Sequence, residues 1–130
     1  MNMHEKAAQA FTREKLDELF PPERSDDFFD ALYGDSAEGA YDIHLVFRAA
    51  KAETLHFAFE LRQRPGKCLA CNLTYGLPQV FSRHPLINLK GLAGELGGLL
   101  GWSAEEVHFQ LGRTEELSPE LHVIPLRIQH

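Results

Sequence analysis

A chain of 130 residues, 44% hydrophobic and 25% charged, has the size and composition of one globular domain. It can bury a core without disulfides or a structural metal, and it is too apolar for a disordered tail. A formal net charge of −6 argues against a general nucleic-acid binder, which needs a basic footprint.

The charge is unevenly placed. Ten acidic and two basic residues lie between Glu14 and Asp42, and seven basic and two acidic residues lie between Arg48 and Lys90. Such segments can neutralise each other or face a charged partner. No apolar leader opens the sequence, and its longest helical apolar pattern is short and broken by glycines. The expectation is a soluble, cytoplasmic protein with no membrane partner.

In chain order, residues 1–11 are weakly patterned and read as a mobile N-terminal segment; residues 12–130 read as a single α+β domain. Thr12 can cap a short helix through Phe20, which Pro21-Pro22 stops. A second helix is predicted from Pro22 to Tyr33, with Phe28 and Leu32 on its buried side and Gly34 at a left-handed cap.

Two alternating runs follow. Tyr41, Ile43, Leu45 and Phe47 form the first, and Leu55, Phe57, Phe59 and Leu61 the second. Period-2 alternation in both predicts a hairpin with one buried face. The register that pairs Phe47 with Leu55 also aligns Leu45 with Phe57 and Ile43 with Phe59. Arg64-Pro65-Gly66-Lys67 places proline and glycine in the positions of a type II turn. A third strand is predicted next, with Leu69, Cys71, Leu73 and Tyr75 facing in and a bulge beside the turn.

Residues 79–86 read as a loop. A helix from Leu86 to Leu100 carries Leu89, Leu92, Ala93, Leu96, Leu99 and Leu100 as its apolar stripe, and Gly101 ends it. Val107, Phe109 and Leu111 mark a fourth strand, and residues 121–128 a fifth. Pro125 cannot donate to a ladder, so the fifth strand should be an edge or carry a bulge. The order α-α-β-β-β-α-β-β predicts an α+β fold, a five-stranded antiparallel sheet with helices packed on one face.

Three groups of residues bear on function. Cys68 and Cys71 flank two residues, and twelve more separate Cys71 from His84, the spacing of three ligands of a two-Cys, two-His zinc site. A metal or thiol-redox module is one reading. Residues three apart on a strand point to opposite faces, and no further histidine follows within five residues of His84. The chain is therefore expected to carry no cofactor, with zinc as the alternative.

His44, His56 and His108 fall on the outward phase of predicted strands, near Asp42 and Glu60. With Arg62 they outline a ligand or partner face, or simply a solvated one. Arg62, Arg64 and Lys67 cluster at one turn, where they could hold an anion. Gly94 and Gly98, four apart on a helix, allow another backbone close, either within the chain or across a homodimer. No nucleophile elbow, paired-carboxylate pattern or phosphate loop is present. The leading expectation is a non-enzymatic protein that binds a protein partner or a small ligand.

Leu19-Phe20-Pro21-Pro22, the run from Asp27 to Gly34, and the run from Arg64 to Pro78 resemble small bacterial proteins of no assigned activity; the resemblance supplies no site residues. In layout the chain is also similar to the type III secretion chaperones, which are small, acidic, dimeric α+β proteins. That similarity implies an acidic, chaperone-like dimer. The chain departs from the family's pattern by ending in a strand rather than a helix.

Overall fold

The computed structural model describes residues 3–34, 39, 41–51, 53–67, 77–85 and 87–130. Five strands form one antiparallel sheet: β1 (Tyr41–Lys51), β2 (Thr54–Gln63), β3 (His108–Leu111), β4 (Glu115–Ser118) and β5 (Leu121–Gln129). The helices are α1 (Met3–Ala10), α2 (Arg13–Leu19), α3 (Arg24–Tyr33), α4 (Leu77–Arg83) and α5 (Leu89–Gly98). The α+β class and the five-stranded antiparallel sheet are as the sequence predicts. No helix among the described residues is long and apolar enough to cross a membrane.

The buried face follows from the alternation. Ile43 and Leu45 of β1, Leu55, Phe57, Phe59 and Leu61 of β2, and Ile124, Leu126 and Ile128 of β5 join one core with helix residues Leu16, Phe20, Phe28, Phe81, Leu92 and Leu96. The weakly patterned N-terminus holds α1, anchored by the buried side chains of Ala7 and Phe11. The Thr12 hydroxyl accepts from Lys15 N at 3.1 Å, and Gly34 caps α3 at φ 78°, both as expected. The Arg64–Lys67 turn closes with a 3.1 Å hydrogen bond from Lys67 N to Arg64 O, and Gly66 has φ 75°. That positive φ is what a type II turn requires of its third residue.

The hairpin register differs from the expected one by two residues. Phe47 pairs with Phe57, Leu45 with Phe59 and Ile43 with Leu61. A two-residue slip leaves every side chain on its expected face, so hydrophobic matching does not separate the two registers. The connection does: Lys51 pairs with Thr54, Glu53 takes φ 65°, and a bulge between Phe47 and Ala49 absorbs one residue.

β5 is central rather than an edge, which corrects the reading of Pro125. It pairs with β2 along one side and with β3 and β4 end to end along the other. Pro125 lies opposite Ala58 of β2, and its carbonyl accepts from Gly112 N at 2.8 Å on the other side. A strand residue's two backbone polar groups point the same way. The missing N–H of Pro125 therefore faces the break between β3 and β4, where no ladder partner is needed.

Two further differences stand out. Residues 77–83, read mostly as loop, form α4, and β4 supplies a strand that the alternation did not reveal. The strand expected over Leu69–Tyr75, and its bulge, lie outside the described residues.

The outer edge of β1 is satisfied by helix side chains. Ser25 of α3, fully buried, accepts from Ile43 N at 2.8 Å and donates to Ile43 O at 3.4 Å. Arg13 of α2 donates to Leu45 O at 2.8 Å, and His4 Nδ1 of α1 accepts from Ala50 N at 3.4 Å. Polar groups that would otherwise template another strand are thereby occupied. The acidic and basic stretches also meet, because Arg64 donates to Asp26 at 2.7 Å and to Asp42 at 2.9 Å.

Candidate functional site

A wide opening is built around α5. Asn88 adopts the left-handed conformation (φ 47°) and its side chain accepts from Gly91 N at 3.3 Å, capping the helix. At the other end Trp102 N donates to Gly97 O and Gly101 N to Gly98 O, both at 3.0 Å, with Gly101 at φ 83°. This is the Schellman arrangement, and it turns the chain back along the helix. A 3-10 turn, Ala104–Glu106, then lies beside α5 and leads into β3.

The helix glycines now have defined neighbours. A Cβ on Gly94 would sit 3.2 Å from Ala104 Cβ, and one on Gly97 would sit 2.8 Å from Val107 Cγ2. Gly94 is thus used for packing within the chain. Gly98 faces open space, and Leu99, expected in the buried stripe, is 37% exposed. The two positions should respond oppositely to alanine. Gly98→Ala is expected to stabilise the fold by about 0.5–1 kcal/mol through helix propensity. Gly97→Ala should cost about 1–3 kcal/mol through overpacking. Urea denaturation of both variants checks this, and a stabilising Gly97→Ala would contradict the described packing.

Between α5 and the 3-10 turn runs a groove of about 910 Å³, lined by Asn88, Lys90, Gly91, Gly94, Glu95, Ala104, Glu105, Val107 and His108. Gly91, Gly94 and Ala104 are its small lining residues, and Lys90, Glu95, Glu105 and His108 its charged or titratable ones. The Asn88 side chain covers Gly91, where a Cβ would meet its Nδ2 at 2.5 Å, and Ala104 covers Gly94. Of these residues the sequence singled out only Gly94 and His108. The spacing of Gly94 and Gly98 signalled a close approach without saying what approaches.

The three expected sheet histidines share the outward face but do not converge. His44 pairs with Glu60, His56 with Ala49 and Arg127, and His108 with Gln129. The His44 and His56 rows lie four positions apart along β2, roughly 13 Å along a strand. Arg62 is exposed and donates to Glu60 at 2.8 Å. Ala58 and Val123 on this face are fully buried, so its middle is not simply solvated.

His84 ends α4 and packs edge-on to Phe28 at 5.0 Å. Cys68 and Cys71, its proposed co-ligands, lie outside the described residues. Among the described residues no three His, Cys, Asp or Glu side chains are grouped to hold a metal. A histidine that the sequence did not single out, His122, is the second residue of β5 and sits on its inward phase, 2% exposed and 3.9 Å from Glu116. No protein-family profile, curated protein or solved structure matches the chain.

Proposed function

We propose that this chain is a non-enzymatic binding protein whose ligand, a small zwitterionic organic molecule, occupies the groove between α5 and the Ala104–His108 segment. The groove itself carries the reading. Its volume of about 910 Å³ lies within the range of small-molecule sites, and its lining combines small residues with charged side chains of both signs. Lys90 and His108 suit an acidic group, and Glu95 and Glu105 a basic one.

Screening zwitterionic, cationic, anionic and neutral fragments by NMR tests this. Zwitterionic fragments should shift the amides of Gly91, Gly94 and Val107 saturably, and Ala104→Trp, which places an indole in the lining, should abolish those shifts. Hits that ignore these amides, or that survive Ala104→Trp, would remove the reading.

A homodimer is a second reading, favoured by Leu99 exposed beside the open Gly98. With Gly94 engaged inside the chain, self-association would run through Gly98 and Leu99. Sedimentation showing only monomer at high micromolar concentration would exclude it.

A further inference from the structure

A second cavity lies on the outward sheet face. Ala49, His56, Arg127 and Gln110 form one cross-strand row over β1, β2, β5 and β3. His56, Gln110 and Arg127 line a pocket of about 260 Å³ with Leu111, Gly112 and Pro125. Gly112 packs against the Pro125 ring, which a Cβ there would meet at 3.3 Å, and it follows β3 at the break between β3 and β4.

The chemistry at this end of the face is one-sided. One neighbouring row is Val46, Ala58 and Pro125; the other is Lys51, Thr54, Gln129 and His108. Apart from His108, which lines the α5 groove, these three rows contain a histidine, an arginine and a lysine, and no carboxylate. Arg127 Nη2 donates to Gln110 Oε1, which fixes the guanidinium in the row and turns the Gln110 amide into a neighbouring donor. A guanidinium fork, an imidazole and a carboxamide from adjacent strands suit an oxyanion with several acceptor oxygens.

We propose that the pocket formed by His56, Gln110 and Arg127 binds the phosphate group of a small molecule. This site stands on its own observation and does not depend on the α5 groove. Arg62, expected from the sequence to serve such a face, is held by Glu60 instead.

Inorganic phosphate is the probe, titrated into the full chain while the Arg127 side-chain N–H and the His56 ring are followed by NMR. The expected result is saturable shifts at both residues, absent with sodium chloride at matched ionic strength and weaker with acetate. Arg127→Gln should weaken binding about tenfold or more, as loss of a charge-assisted hydrogen bond does. Gln110→Ala, a milder change on a short strand, should weaken it less, and Arg62→Gln should leave it unchanged. Shifts reproduced by sodium chloride, acetate binding as tight as phosphate, or full affinity in both Arg127→Gln and Gln110→Ala would overturn the proposal.

Discussion

Phe81→Ala is expected to destabilise the protein by about 3–5 kcal/mol, the range for truncating a buried phenylalanine. Phe81 has no exposed surface, and its ring meets Phe28 of α3 and Phe59 of β2 at 5.5 Å, at 85° and 89°. Edge-to-face pairs of this kind add to the area term. The side chain joins three elements, so the cavity left behind cannot be closed by moving one of them. In urea the midpoint should fall with little change in slope. Val80→Ala, one residue away but 36% exposed, should change stability by less than about 0.5 kcal/mol. Equal effects at the two positions would mean that α4 does not seat on the sheet through Phe81.

Ser25→Ala should cost about 1–3 kcal/mol although it removes a single oxygen. The serine hydroxyl answers both polar groups of Ile43 in a fully buried place. Alanine leaves that N–H and C=O without their partner, and water cannot reach them cheaply. Hydrogen exchange at the Ile43 amide reports the loss directly. The variant should exchange much faster at Ile43 while the amides of β5 slow or quicken only with global stability. Unchanged exchange at Ile43 would show that its edge is protected by something other than Ser25.

Much of the architecture could be read from the sequence because period-2 alternation and helix caps are local signals. Thr12, Gly34 and the Arg64–Lys67 turn needed no tertiary information. α4 was not readable: two turns containing Pro78, Gln79, Ser82 and Arg83 give no periodic stripe, and Phe81 is buried by partners distant in sequence. The hairpin register was underdetermined because both candidate registers pair apolar with apolar. Pro125 misled because proline normally marks an edge; here the adjacent strand is interrupted instead. The groove was half visible, in glycines whose close neighbour, Ala104, only the fold reveals.

The position of β5 has a consequence for how the chain is made. Synthesis runs from the N-terminus, and domains assemble as their parts emerge. The β1–β2 hairpin is local and can pair early, but Phe57 waits for Leu126 and Leu61 for His122. Until then one whole side of β2 has no ladder. Distant pairing of this sort slows folding and prolongs exposure of the unfinished sheet. On the ribosome, the vulnerable interval is therefore the one between emergence of β2 and arrival of β5. A stall within that interval should yield nascent chains that are cleaved by protease at sites the finished fold protects.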